Sequence, residues 1–122
     1  MSGVVSAPMS GAALPAEFAD LEGFVAVWAK PTVAERIAAR CDASMADIRT
    51  FYDAAQPRLE AMLAYLDGTK LDALAPADAR LLQLALGLGQ AAVAVEIHGA
   101  PIRPGTPWPN SIRVIAGPVP FG

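Results

Sequence analysis

The side chains that could do chemistry in this chain are few, and two of them, Glu96 and His98, stand together after a long apolar run. A carboxylate beside an imidazole can act as an acid–base pair or as two ligands of a metal ion. The two side chains share a face on a strand but lie far apart around a helix. Alternatively, both simply mark the polar end of a helix, where a histidine is favourable near the negative C-terminus.

A second set of polar groups belongs to Tyr52 and Asp53. Together with Glu96 and His98, they are the candidate polar groups of a pocket near Pro57. Aromatic residues at helical spacing are more often core residues, and this alternative stays open for Tyr52. The chain has one cysteine and one histidine and lacks phosphate-loop and dinucleotide motifs. We therefore predict no catalytic residue, no metal site and no cofactor.

Composition narrows the classes of function. The chain of 122 residues is 54% hydrophobic and 17% charged, whereas about a quarter of an ordinary soluble domain is charged. Its apolar surplus must therefore be buried in a membrane, in an oligomer, or against a partner or ligand. The uncharged run of residues 81–95 is shorter than the roughly 20 residues of a membrane span. Together with the acidic balance and scattered basic residues, this predicts a cytoplasmic protein that binds neither membranes nor nucleic acid.

Four helices are predicted to position these groups, from caps, breakers and periodicity. The first ends at Pro31. Thr32 and Ser44 each precede an acidic residue by three positions, which is the capping-box pattern, and they open the second and third helices. On the second helix, Arg36 and Arg40 share a face that we expect to be solvated.

Two prolines and two glycines shape the remaining helices. Pro57 lacks an N–H group and clashes with the carbonyl four residues earlier, so we expect a kink in the third helix, which Gly68 is placed to end. Pro76 suits the first position of the fourth helix, which is apolar nearly all round and therefore buried on most sides. Gly87 and Gly89 would let another helix or a ligand approach it closely.

The end of the fourth helix is ambiguous. Residues 93–98 alternate in the manner of a strand and could pair with residues 111–116 as a hairpin, giving an α+β fold. We prefer a helix that runs to about His98, with Gly99 as its cap.

The chain changes character from Pro101 onward, since six of its eleven prolines fall in the last 22 residues. Proline excludes helix, so this arm is expected to be extended. An apolar extended arm must lie against its own helices or a neighbouring subunit. Trp108, held between two prolines, has the rigid setting of an interface anchor. The residues expected to contact a partner are Trp108, Ile112, Val114, Ile115 and Phe121.

The predicted fold class is all-α, a compact four-helix domain with a proline-rich arm that could hold a short strand. The domains are a flexible leader at 1–13, a helical domain at 14–100 and the arm at 101–122.

Three short stretches suggest a relationship: LPAEFADLE at 14–22, FYD at 51–53 and VE at 95–96. Through them the chain, from Leu14 to about Val114, resembles small helical bacterial proteins of unassigned function. Such proteins tend to be encoded among catabolic enzymes for aromatic or lipid-like compounds. The resemblance defines no catalytic residue.

Two functions follow as expectations. The first is a non-catalytic accessory or oligomerising subunit that binds a protein partner, a further copy or a larger subunit, through its arm. The alternative is a small helical enzyme or carrier for an apolar small molecule, with a pocket near the Pro57 kink.

Overall fold

The computed structural model describes residues 13–102, and within that range the chain is helical without strands. The all-α prediction is therefore confirmed, with four helical segments. The first segment is a 3-10 helix at Ala16–Phe24 that continues into α1 at Val25–Trp28, and the second is α2 at Val33–Asp42. The third consists of α3 at Met45–Ala55 and α4 at Leu59–Asp67, joined by the 3-10 turn Gln56–Arg58. The fourth is α5 at Pro76–Ala92, followed by the π-helical turn Val93–His98.

Both predicted caps are present. The Thr32 hydroxyl accepts a hydrogen bond from the backbone N–H of Glu35 at 3.2 Å and donates one to its carboxylate at 2.8 Å. The Ser44 hydroxyl accepts from the backbone N–H of Asp47 at 3.1 Å. A cap of this kind contributes about 1 kcal/mol to stability, so these two residues determine where α2 and α3 begin.

The third segment breaks where Pro57 was expected to break it. Helix α3 ends at Ala55, and α4 begins at Leu59 after one 3-10 turn. Proline lacks the N–H that would continue the α-helical ladder. Gly68 ends α4, and its N–H donates to the carbonyl of Tyr65 at 3.2 Å.

The fourth segment runs through the ambiguous region as a helix. Pro76 is its first residue, and the last turn is π-helical up to His98. Gly99 then adopts the left-handed conformation with φ of 68°, and its N–H donates to the carbonyl of Ala94 at 2.7 Å. The strand alternative for residues 93–98 is wrong, while the alternative partner strand at 111–116 lies outside the described residues.

Helix α5 is the centre of the fold, since it contacts each of the other four α-helices. The side chains of Leu81, Leu84 and Ala91 are fully buried along it. The closest approach is at Gly87, where a Cβ atom would overlap the backbone oxygen of Trp28 and lie 3.3 Å from its carbonyl carbon. The expected close approach is thus present at Gly87. Gly89 is exposed, and a Cβ there would have no neighbour within 4 Å.

The predicted solvated arginine face on α2 is wrong. Arg36 is 4% exposed and donates to the backbone carbonyl of Lys30 at 2.9 Å, while burial lowers the pKa of its guanidinium. Arg40 is half-buried and donates to the side-chain oxygen of Gln90 at 3.0 Å. The arginine face of α2 therefore packs towards the end of α1 and towards α5, where a carbonyl and an amide oxygen accept hydrogen bonds from the guanidinium groups.

One span in the described part of the chain, Pro76–His98, is long and apolar enough to cross a membrane by length and composition. The core helix of a soluble protein meets the same criterion, because a helix surrounded by neighbours is apolar on most sides. The expectation of a protein without a membrane span stays a prediction.

Candidate functional site

An apolar groove of about 510 Å³ lies where α1, the end of α2 and the start of α3 meet. One wall comes from Phe24, Val27 and Trp28. The facing wall contains two small residues, Ala39 and Ala43. Because alanines stand opposite large side chains, the helices meet without filling the space between them.

Phe51, which is fully buried in the core, packs against the aromatic residues of the groove wall. The indole ring of Trp28 stacks on the Phe51 ring, with centroids 4.7 Å apart and planes 10° from parallel. Phe24 contacts the same ring at 5.2 Å in a tilted arrangement. A single core residue thus positions the two aromatic side chains of the groove wall.

The rim of the groove carries three charged residues and one hydroxyl. Asp42 and Asp47 are exposed carboxylates, and Lys30 is half-buried. The Thr50 hydroxyl donates to the backbone carbonyl of Ala46 at 2.9 Å. Both carboxylates lie where α2 gives way to α3, because Asp42 ends α2 and Asp47 lies in the first turn of α3.

The groove is suited to binding an apolar group. Val27 is 50% exposed, although valine is among the residue types most often buried. Ligand sites in proteins are mostly apolar clefts of about 300–1,000 Å³ with a few polar groups, and this groove falls within that range. Apolar surface that stays open to solvent in the body of a small domain is the surface that a ligand or partner would cover.

The candidate polar groups lie away from this groove, and none of the four lines it. The structure does join Tyr52 and Glu96, since the Tyr52 hydroxyl donates to the Glu96 carboxylate at 2.5 Å. Asp53 is exposed on α3, and His98 is half-buried in the last π-helical turn. The pocket expected near Pro57 stays a prediction, because the groove described here lies elsewhere.

The bond between Tyr52 and Glu96, which lies in the π-helical turn after α5, has a counterpart in the first turn of α5. The Tyr65 hydroxyl donates to the Asp78 carboxylate at 2.8 Å. In both pairs, the hydrogen bond to a carboxylate is the main cause that raises the pKa of the tyrosine. One pair joins α3 to the last turn of the central helix and the other joins α4 to its first turn, so both act as tethers between helices.

The residues that sequence reasoning missed are on the groove wall, above all Phe24 and Val27. The buried residues of the first helical segment, Phe18, Leu21 and Trp28, form a stripe on its core side. Phe24 and Val27 fall off that stripe, and apolar residues off the buried stripe of an amphipathic helix were the available signal. The arm residues Trp108, Ile112, Val114, Ile115 and Phe121 lie outside the described residues, so their predicted contacts are untested.

Among residues 13–102, the histidine, cysteine, aspartate and glutamate side chains form no group of three or more that could hold a metal ion. Comparisons of the chain with family models, with curated proteins and with solved structures give no match.

Proposed function

We propose that the protein is a non-catalytic accessory subunit that assembles with a protein partner, and that the apolar arm at 101–122 makes the contact. The proposal includes a soluble, cytoplasmic protein. The observation that carries it is the open apolar groove beside the half-exposed Val27. The helical domain has a groove that suits apolar side chains, and the arm that follows it is rich in such side chains. One chain therefore carries both of the surfaces that an assembly contact needs.

The tyrosine pairs support the non-catalytic part of the proposal. Tyr52 and Tyr65 each donate to a carboxylate on the central helix, and these hydrogen bonds raise the pKa of both phenols above 10.0, so they stay protonated even at mildly alkaline pH. Repetition of the same bond near both ends of the central helix favours a structural role for Glu96 and Asp78.

A second candidate function is the binding of an apolar small molecule in the groove. The volume of the groove, about 510 Å³, favours this candidate, because a cleft of that size suits a ligand of modest size. The two functions predict different occupants. An apolar fluorescent probe should compete with the arm if a protein segment fills the groove, and its affinity should then rise in a variant whose arm is disrupted.

Light scattering of the full chain across a wide concentration range tests the proposal. We expect a mass that is a multiple of 12.6 kDa, and a monomer mass when Trp108→Ala and Ile112→Ser are combined. A monomer mass for both proteins at every concentration would contradict assembly of the arm with a further copy.

A further inference from the structure

We infer that the groove between α1, α2 and α3 receives Trp108 and its neighbouring residues, from the segment 103–122 of a second copy of this chain. The inference rests on the proposed assembly role and names the partner. It follows from charge, from side-chain character and from the position at which the described chain ends.

The charges of the two surfaces are complementary. Asp42 and Asp47 stand exposed at the rim of the groove. Residues 103–122 contain two charged side chains, Arg103 and Arg113, and both are basic. Lys30 also lines the groove, so its two carboxylates and one ammonium sum to −1, opposite in sign to the two arginines of the arm. Opposite charges at the rim of an interface set its orientation and speed its formation.

The apolar character of the two surfaces also matches. The wall of the groove offers the partly buried Phe24 ring and the half-exposed Val27, with the buried Trp28 packed behind them. The arm offers Trp108 between Pro107 and Pro109. A proline-flanked tryptophan loses little conformational freedom on binding, and residues of this kind carry much of the energy of protein interfaces.

The geometry of α3 favours a second copy over the same chain. Thr50 lines the groove, whereas Tyr52 is bonded to Glu96 in the last turn of the central helix. Two residues that are two positions apart on an α-helix point in nearly opposite directions. The described chain ends at Ile102, six residues past Glu96, so the arm starts close to the face of α3 opposite Thr50, and an arm that filled the groove of its own chain would have to pass around α3.

In a pair of copies that exchange arms, both grooves and both arms would be in contact. Each groove would receive the arm of the other copy about a twofold axis, which is the commonest symmetry of soluble oligomers. The two contacts form together, so the second adds to the first without a further loss of translational freedom.

Matched substitutions test the groove in the full-length chain. Val27 in the groove and Leu63 on α4 are 50% and 52% exposed, so an aspartate at either position leaves the core intact. We expect Val27→Asp to raise the dimer dissociation constant at least tenfold by sedimentation velocity, and Leu63→Asp to leave it unchanged. Equal effects of the two variants would overturn the inference.

A complementation experiment separates exchange between copies from docking within one chain. Val27→Asp has an intact arm, and Trp108→Ala has an intact groove. Each should be monomeric alone, whereas a mixture should form a mixed pair through the one remaining intact contact, seen as energy transfer between differently labelled copies. Because a single contact is weaker than two, the mixture is compared with each variant alone, and energy transfer in the mixture no higher than in either variant alone would overturn the inference.

Failure of the inference and failure of the proposed function look different. If Trp108→Ala dissociates the oligomer while Val27→Asp does not, the arm mediates assembly through another surface and only the inference is overturned. If the unaltered chain is monomeric at all concentrations, the inference falls, whereas a larger subunit stays as the partner of the proposed function. We also expect Asp42→Asn combined with Asp47→Asn to weaken association severalfold at low salt and to leave it nearly unchanged at high salt, where rim charges are screened.

Discussion

Helix α1 has two faces that meet their surroundings in opposite ways. Towards α5 its backbone lies against Gly87 so closely that a methyl group would not fit between them. Towards α2 it faces Ala39 and Ala43 across an open groove. On the first face the helix backbones lie close together, and a glycine leaves no space between them. On the second face the backbones lie further apart, and the small alanine side chains leave the space between the helices unfilled. Whether a small residue closes or opens an interface therefore depends on the distance between the helix backbones.

The largest effect should come from the residue that supports both faces. Phe51 is fully buried and stacks on Trp28, so Phe51→Ala removes a core ring and leaves a cavity beneath the groove. We expect the free energy of unfolding to fall by about 3–5 kcal/mol, measured by urea denaturation. A loss below that of an ordinary surface substitution would show that the Trp28 ring is held by other contacts.

The sealed face can be tested by adding one methyl group. In Gly87→Ala the new Cβ meets the backbone of Trp28, which cannot move aside like a side chain. We expect a loss of about 1–3 kcal/mol in spite of the better helix propensity of alanine. Gly89→Ala is the matched control, because the space beside Gly89 is open, and it should raise stability by about 0.5–1 kcal/mol. Two changes of the same sign would contradict this assignment of the sealed face.

Alkaline pH should weaken the two tyrosine–carboxylate hydrogen bonds to the central helix without acting on either face of α1 directly. The pKa values of Tyr52 and Tyr65 are raised in the folded protein, chiefly by their hydrogen bonds to Glu96 and Asp78. Their contribution to stability is therefore present below the ordinary tyrosine pKa of 10.0 and is lost as the pH rises through the raised values.

Urea denaturation of the unaltered chain and of a Tyr52→Phe, Tyr65→Phe double variant, both from neutral pH to above pH 10, tests this. The double variant should be less stable at neutral pH and should lose less stability at alkaline pH. Parallel curves for the two proteins would argue against a role for the phenol groups.

The open face should show the smallest effect on stability. Val27→Ser removes an exposed apolar side chain that α1 does not bury, so we expect the free energy of unfolding of the monomer to change by less than about 0.5 kcal/mol. Thermal unfolding at a concentration below the dissociation of any oligomer measures it. A loss of several times this size would place Val27 in the core and remove the contrast between the two faces.

Much of the fold follows from local signals in the sequence. The capping residues Thr32 and Ser44, the break at Pro57 and the stop at Gly99 each act through the backbone within a few positions. Because these effects need no knowledge of the rest of the chain, they predict where the helices begin and end.

The features that escaped prediction depend on contacts between distant parts of the chain. Arg36 and Arg40 share a helix face, but only the packed structure shows that this face meets the carbonyl of Lys30 and the side chain of Gln90. The groove likewise depends on how far α2 stands from α1, which no spacing within either helix specifies. Of the four predicted polar groups, Tyr52 and Glu96 are in contact, and none of the four lines the groove.

The central place of α5 affects how the chain can fold while it is being made. Residues 76–98 are synthesised after the four α-helices against which they pack. At the ribosome's pace of about 5–20 residues per second, the earlier helices wait some seconds with their apolar faces uncovered. Because Leu81, Leu84 and Ala91 complete a core shared by all of them, cooperative structure must form late in synthesis, and nascent chains that stop short of this helix would depend on chaperones.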